Sequence, residues 1–349
     1  MKKKLTLLLV MGMVVTSLAG CGSVVKTDEA VTPETAEAVA SEATEAVETE
    51  AAETPVRGGG SNIIYVITAS YATPLFETEA NTATAKAEEL GYEVKAVSHD
   101  DDLTKQSQII ETAIADKAAG IILDNAGAEG SVEAVKAAKA AGIPTAIIDR
   151  ELASEGDAIA QFVSNNYQGA QIVAEIFVEQ MDEEGEYAEL LGKETETACT
   201  VRSQGFHDVI DQYDGLEMVA QETANWEQTT AYDKMETMLQ AHPNIKGVIC
   251  GNDPMALGAA AACKAMGKEG VVIVSVDGSN EARDAILEGS MTATALQMGT
   301  DMAERAVEAI DTYLKTGSTG LDAEKQLVDC KAIDASNAQY LDNFVYSEE

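Results

Sequence analysis

Short apolar runs alternate with amphipathic stretches from Asn62 to the carboxyl terminus. The run at residues 144–148 is apolar throughout and ends at the charged pair Asp149-Arg150. A strand that is apolar on both faces needs helices above and below it, as in a parallel α/β sheet. Because the carboxyl ends of such strands border the ligand crevice, we expect Asp149 and Arg150 to contact a ligand. The alternative is an N-cap with a surface ion pair.

The same alternation predicts the other elements. The expected strands are residues 63–68, 92–97, 121–123, 144–148, 159–163, 187–191, 216–220, 247–250, 271–276, 292–296 and 326–329. The expected helices are residues 74–90, 103–117, 131–141, 167–182, 201–213, 228–240, 255–266, 281–287 and 302–315. Repeated βα units form parallel sheets with right-handed crossovers. So many strands favour two similar halves, with a break near Ser164-Asn165-Asn166.

Polar side chains gather where these strands end. They are Asp124-Asn125, Asp149-Arg150, Asn252-Asp253 and Asp277, together with Arg202 at a predicted helix start, Trp226 in a polar loop and Gln297 after a strand. Each one alone is explained as a helix cap or a surface group. Together they supply hydrogen-bond donors, acceptors and an aromatic face, which is the mixture that a sugar or polyol requires.

On these residues the chain resembles the type 1 periplasmic-binding-protein family, in the ribose-binding branch of sugar receptors for ABC importers. The matching motifs are Gly142-Ile143-Pro144, Asp149-Arg150, Arg202-Ser203-Gln204-Gly205-Phe206, Gly251-Asn252-Asp253-Pro254-Met255 and Val276-Asp277-Gly278. The resemblance implies an α/β fold with two Rossmann-like lobes, whose parallel sheets are joined by a three-strand hinge. The implied lobes are residues 62–164 with 298–326, and residues 165–297 with 327–349.

The resemblance also implies which residues bind the ligand as the cleft closes. Matched position by position, they are Phe76, Asp149, Arg150, Asn166, Arg202, Trp226, Asn252, Asp277 and Gln297. Phe76 and Trp226 match the aromatic positions that sandwich the sugar ring.

The sequence departs from the ribose pattern at several positions. Trp226 stands where ribose receptors commonly have Phe, and Thr73 and Leu75 stand where they often have Asn and Phe. Asp124 stands where they often have Asn. Thr73, Leu75 and Asp124, together with Thr68, are further candidate ligand residues. The departures leave room for another pentose, a hexose or a linear polyol.

The amino-terminal residues predict export and anchoring. Lysines at positions 2–4 precede an apolar run at residues 5–18, which is too short for a stable membrane span. Leu18-Ala19-Gly20-Cys21 resembles the bacterial lipoprotein box, in which the cysteine is acylated; an ordinary secretory signal is the alternative. We expect residues 1–20 to be a lipoprotein signal peptide. Residues 21–60 are expected to form a lipidated, disordered acidic tether on the outer face of the cytoplasmic membrane.

Charge and composition exclude some partners. The net charge of −37 argues against nucleic acid, which needs a positive surface. The expected partners are a sugar or polyol, an ABC permease and, through lipid, the membrane; the protein is expected to be monomeric. No cofactor or metal is expected. The four cysteines after Cys21 are expected to be mostly buried thiols, although sequence cannot exclude a disulfide.

An enzyme and a sensory receptor are the two alternatives to a sugar-import protein. An enzyme is disfavoured because no nucleophile–base arrangement is readable in the sequence. Asp149 and Asp277 are expected to be held ionised by arginine and asparagine partners, the wrong state for a general acid. A receptor that presents a sugar or a furanose-like signal to a membrane sensor fits the fold and anchor equally well. Import of a monosaccharide is the preferred interpretation.

Overall fold

The computed structural model describes residues 59–348. The predicted signal peptide, Cys21 and nearly all of the tether lie outside the described residues. The described chain forms two lobes, each built on a six-stranded sheet.

The first sheet has the strand order β11-β5-β4-β3-β1-β2, and all its pairs are parallel. Its strands are β1 (Ile63–Thr68), β2 (Glu93–Ser98), β3 (Gly120–Leu123), β4 (Thr145–Ile148), β5 (Ala160–Ser164) and β11 (Lys325–Val328). Its flanking helices are α1 (Pro74–Glu89), α2 (Leu103–Ala115), α3 (Val132–Ala140) and α9 (Gly299–Thr316).

The second sheet has the strand order β12-β10-β9-β8-β6-β7 and is parallel except at its edge strand β12. Its strands are β6 (Gly185–Leu191), β7 (Leu216–Thr223), β8 (Ile245–Cys250), β9 (Val272–Asp277), β10 (Ala293–Leu296) and β12 (Lys331–Asp334). Its helices are α4 (Asn166–Gln180), α5 (Thr197–Ile210), α6 (Gln228–Ala241), α7 (Asp253–Ala265) and α8 (Asn280–Glu288). A 3₁₀ helix (Ala338–Tyr340) and the hairpin β13 (Leu341–Asp342) and β14 (Val345–Tyr346) follow.

Alternation along β1 explains why this strand is buried on both faces. Ile64 and Val66 belong to the core that α1 and α9 cover, whereas Tyr65 and Ile67 belong to the core on the opposite side, under α2 and α3. Successive side chains of a strand point to opposite faces. The fully apolar run therefore fills two cores at once, as the sequence pattern predicted.

Local signals fix the helix ends. The Asp102 side chain accepts hydrogen bonds from the backbone N–H groups of Thr104 and Lys105, which caps α2. Helix α9 ends at Gly317, whose φ of 79° lies in the left-handed region that favours glycine.

The chain crosses between the lobes three times, as the three-strand hinge requires. It crosses after β5, after β10 and between β11 and β12. The last crossing comes later than the predicted boundary at residue 326, because Leu327 and Val328 still pair with Val163 and Ser164 of the first sheet. The expected α/β fold with two mostly parallel lobes is confirmed.

Two details differ from the expected elements. Strand β12 and the terminal hairpin were not predicted, because such short strands carry little periodicity. Helix α5 begins at Thr197 instead of residue 201, so Arg202 lies inside the helix and does not open it.

The cysteines agree with the expectation of buried thiols. Cys199, Cys250, Cys263 and Cys330 are all buried and free of disulfides. Among residues 59–348, no helix combines the length and apolar character that a membrane crossing needs.

Candidate functional site

A cavity of about 600 Å³ lies between the lobes, at the carboxyl ends of strands from both sheets. Its lining includes all nine residues predicted to bind ligand and two of the four further candidates, Thr73 and Leu75. Thr68 and Asp124 are fully buried and do not line the cavity. A role for these two in direct ligand contact stays a prediction.

In the first lobe, Arg150 follows β4 and lies over an aromatic ring. Its guanidinium carbon is 4.7 Å from the centre of the Phe76 ring. Its Nη1 donates to Asp101 Oδ1 at 2.6 Å, and its Nε is 3.6 Å from Asp124 Oδ1. Asp124 is a buried carboxyl group behind Arg150, and burial raises its pKa well above the usual range despite the nearby arginine. The Phe76 ring and the Asp101 carboxylate orient the guanidinium.

Asp149, beside Arg150, is buried, and within residues 59–348 its backbone N–H donates to the Phe162 carbonyl at 3.0 Å while its side chain stays unpaired. Its backbone φ is 56°, which lies in the left-handed region. Its side chain is 9% exposed, and no hydrogen bond to it is found among residues 59–348. Burial raises the pKa of this carboxyl group, and the nearby Arg150 and Arg202 only partly oppose that shift. Asp149 is therefore an acceptor with unused capacity at the cavity surface.

In the second lobe, Arg202 is held by three acceptors of its own lobe. Its Nε donates to Asn166 Oδ1 at 2.7 Å, and its Nη1 donates to the Gly251 carbonyl at 2.7 Å and to Asp277 Oδ1 at 3.3 Å. The guanidinium carbon also lies 5.6 Å from the centre of the Trp226 ring. This wall repeats the arginine–aromatic pair of the first lobe.

Asp277 does not have the charge state that the sequence predicted. Burial raises its pKa to about 8, and the attraction of Arg202 is insufficient to reverse the shift. Gln297 Nε2 donates to Asp277 Oδ1 at 2.9 Å, and the Gln297 Oε1 atom is buried with no partner in the described chain. The expectation that arginine and asparagine partners hold Asp277 ionised at neutral pH is therefore wrong, whereas for Asp149 it stays a prediction.

The polar groups that follow β8 have separate roles. Asn252 caps α7 by accepting from the Met255 N–H at 3.1 Å, and its Nδ2 donates to the Trp226 carbonyl at 3.2 Å. Asp253 is fully buried and accepts hydrogen bonds from Ser275 Oγ and from other groups of its own lobe. Asp253 is structural, whereas Asn252 combines a cap with a place in the cavity wall.

Two glycines and one carboxylate fix the position of the Trp226 side chain. A Cβ atom at Gly192 would lie 2.1 Å from the indole, and one at Gly251 would lie 2.7 Å from it. The indole Nε1 donates to Glu196 Oε2 at 2.8 Å. Packing and this hydrogen bond fix the position of the ring, which lines the same cavity as Phe76.

Seven charged cavity residues were missed from the sequence, namely Asp100, Asp101, Glu151, Lys193, Glu196, Glu227 and Lys325. Asp101 follows β2 in the acidic run Asp100-Asp101-Asp102 and has a φ of 59°. A polar strand end of this kind was the signal that identified Asp149, so Asp101 could have been found in the same way. Lys193 and Glu196 lie in a loop, for which the sequence pattern carries no such signal.

The arrangement suits a small polyhydroxylated ligand. Hydrogen-bonding groups from both lobes converge on one cavity between two aromatic rings, and this is how a site fixes the orientation of a polar ring. Among residues 59–348, no cluster of three or more His, Cys, Asp or Glu side chains is suited to hold a metal ion. Fold and site together define a two-lobed receptor with its ligand cleft at the interface.

The chain belongs to the periplasmic binding protein family, because residues 64–319 match the model of the periplasmic binding protein domain. It is 55% identical to the D-apiose import binding protein of Actinobacillus succinogenes over 82% of this chain and 93% of that protein. It is 30% identical to the ribose import binding protein of Bacillus subtilis, over 72% of this chain and 84% of the relative. These relatives carry the names of binding proteins and not of enzymes.

A solved structure shares the fold. It is an ABC transporter solute-binding protein from Mycobacterium smegmatis with bound glycerol, with a TM-score of 0.76 and 25% identity. The alignment covers 83% of this chain and 100% of that one. The family assignment made from sequence motifs is confirmed.

Proposed function

We propose that the protein captures a monosaccharide by closure of its cleft and delivers it to an ABC importer, and that D-apiose is the cognate sugar. The observation that carries the proposal is the pair of arginine–aromatic walls facing one cavity. Arg150 on Phe76 and Arg202 on Trp226 present guanidinium donors and ring faces from opposite lobes. A monosaccharide has hydroxyls for the donors and C–H faces for the rings.

The choice of D-apiose over D-ribose rests on two independent supports. The relative named for D-apiose import is much more similar than the one named for ribose import, with 55% against 30% identity. The cavity also departs from the ribose pattern at Thr73, Leu75 and Trp226, all of which line it. D-apiose is a branched five-carbon sugar, so a wall of different shape is expected for its recognition.

Calorimetric titration tests the ligand. We expect saturable 1:1 binding of D-apiose, with D-ribose, D-allose and myo-inositol binding at least about tenfold more weakly, a difference of about 1.4 kcal/mol. Because a ligand that binds only the native state raises stability by mass action, the same order should appear in melting temperatures. Tighter binding of D-ribose would assign the protein to ribose uptake, and no response to any monosaccharide would refute sugar capture.

We further propose that Cys21 is acylated and that residues 22–60 tether the lobes to the outer face of the membrane. The support is the match of Leu18-Ala19-Gly20-Cys21 to the lipoprotein box. Cys21→Ala should leave uncleaved precursor or release the protein from the membrane fraction, whereas Cys199→Ala serves as a control at a buried thiol. A native mature protein that carries no lipid and starts at another residue would refute the anchor.

A further inference from the structure

A line of charged groups crosses the mouth of the cleft above the predicted sugar site. Arg150 Nη1 donates to Asp101 Oδ1 at 2.6 Å in the first lobe, and Lys193 Nζ from the second lobe lies 3.4 Å from Asp101 Oδ2. Lys193 Nζ is also 3.7 Å from Glu196 Oε1, and Glu196 Oε2 accepts from the Trp226 indole at 2.8 Å. The line joins the arginine of one wall to the aromatic ring of the other.

The contact between Asp101 and Lys193 is the step that crosses from lobe to lobe. In the part of the chain that the structure describes, every other side-chain salt bridge joins groups of the same lobe. Both partners line the cavity and are only about one-third exposed, at 29% for Asp101 and 34% for Lys193. The pair can form only when the lobes are together.

The electrostatics of Asp101 favour such a contact. Burial alone would raise its pKa, but the charges of Arg150 and Lys193 outweigh burial and lower the pKa below the usual range. Asp101 is therefore ionised at neutral pH, between one cation of each lobe. An ion pair with limited solvent access is screened less than a fully exposed one.

We propose that Asp101 and Lys193 form an ionic latch that holds the closed cleft over the sugar and sets its rate of release. The latch rests on the proposed function, since it acts on sugar captured by cleft closure. Asp101 also positions Arg150, and Glu196 positions Trp226, so the latch connects the two walls to each other when the cleft is closed. The latch acts in the closed state and therefore slows dissociation more than it speeds association.

Stopped-flow fluorescence measures both rates, because Trp226 is the single tryptophan of the chain and lies in the cavity wall. At low salt, D-apiose should dissociate from Lys193→Met about two- to tenfold faster than from the native protein, with little change in the association rate. Lys193→Arg should restore slow release, and high salt should reduce the difference. The matched control is Lys234→Met, which removes an ion pair with Glu222 inside the second lobe and outside the cavity.

A double-mutant cycle isolates the pair, because Asp101→Asn alone also disturbs Arg150. In the Asp101→Asn background, Lys193→Met should add little further acceleration if the two residues act together. The latch is overturned if Lys193→Met releases sugar as slowly as Lys234→Met, or if its effect is undiminished in the Asp101→Asn background.

Scattering by the sugar-free protein gives a readout that does not depend on which sugar binds. At low salt, Lys193→Met should have a larger radius of gyration than Lys234→Met, because its closed form lacks the ion pair across the cleft. If the native protein does not bind D-apiose, the proposed ligand fails, and this scattering comparison alone decides on the latch. Equal radii for the two variants would then reject it.

Discussion

Each lobe places an arginine against an aromatic ring, but the two walls differ in how completely their polar groups are paired. In the second lobe, Arg202 donates to three acceptors of its own lobe. In the first lobe, Arg150 donates to Asp101 Oδ1 at 2.6 Å and to the Asn125 carbonyl at 3.3 Å. Asp149, at the cavity surface, accepts no hydrogen bond from residues 59–348. The second wall is therefore largely self-supporting, whereas the first is incomplete without a ligand.

The difference predicts that the two walls contribute to binding in different ways. A wall whose groups already bond to each other is preorganised, so a ligand loses less free energy to ordering it. A buried acceptor without a partner costs stability until a ligand hydroxyl donates to it. Substitutions in the second wall should thus affect both stability and affinity. Substitutions at the unpaired acceptor of the first wall should affect affinity alone.

The largest expected effect is that of Arg202→Ala. Removal of the guanidinium leaves Asn166, Asp277 and the Gly251 carbonyl buried with a donor missing, at a cost of about 1–3 kcal/mol for each group left unpaired. We expect D-apiose affinity to fall more than about a hundredfold and the melting temperature of the sugar-free protein to fall as well. Calorimetric titration and melting measure both. Arg283→Ala, an arginine of the second lobe outside the cavity, should keep normal affinity; an unchanged melting temperature for Arg202→Ala would contradict a self-supporting second wall.

Asp149→Asn should separate affinity from stability. The amide has the same shape and asparagine tolerates the φ of 56°, so the backbone should not be strained. We expect D-apiose affinity to fall about tenfold or more, because a charged acceptor is lost. The melting temperature without sugar should stay the same or rise, since the variant buries no unpaired carboxylate. A clear drop in that temperature, with affinity intact, would support the alternative of a structural cap.

Trp226→Ala tests the aromatic half of the second wall. Loss of ring stacking should weaken D-apiose binding about three- to tenfold or more, and the space beside Gly192 and Gly251 should lower stability. Trp226→Phe should recover part of the affinity. Calorimetry is the appropriate measurement, because the variant has no other tryptophan to report binding. Equal affinities for the native protein and Trp226→Ala would show that the ring does not contribute to sugar binding.

The pH dependence of stability tests the protonation of Asp277 in the second wall. Its folded pKa is about 8 because of burial, well above the usual value of an unfolded aspartate, about 3.9. The folded state therefore keeps a proton that the unfolded chain releases. This contribution to stability is complete below about pH 4 and is lost as pH rises toward 8.

Melting of the sugar-free protein between pH 6 and 9 measures this slope, and Asp277→Asn should flatten it. A sugar hydroxyl that donates to Asp277 favours the ionised form, so D-apiose affinity should increase as pH rises over the same interval. Identical pH profiles for the native protein and Asp277→Asn would show that Asp277 does not titrate there.

Much of the fold was predictable because its signals are local. The predicted strand at residues 63–68 coincides with β1, and the predicted helix at residues 74–90 ends one residue beyond α1. Apolar runs, N-caps and glycine ends act within a few residues of sequence. The short strand β12 was missed because it is defined by its pairing with β10 and not by its own pattern.

The candidate site was predictable only in part. Polar residues at strand ends identified Asp149 and Asp277, since parallel strands bring their carboxyl ends to one edge. The same rule cannot tell Asn252, which lines the cavity, from Asp253, which bonds inward. It also placed Arg202 at a helix start instead of inside α5.

The two similar halves and the polar residues at the strand ends follow from periodicity and from the order of βα units in the sequence, whereas the hinge and the ligand residues Phe76 and Asn166 were identified through the family resemblance. The tertiary structure alone decided which polar groups are paired and which remain free. Arg202 and Asp277 are 75 residues apart in sequence, and Lys193 and Asp101 are 92 residues apart, so no local sequence pattern predicts either contact. Packing also decided that burial outweighs arginine in the pKa of Asp277, because the cost of removing a charge from water depends on the atoms around it.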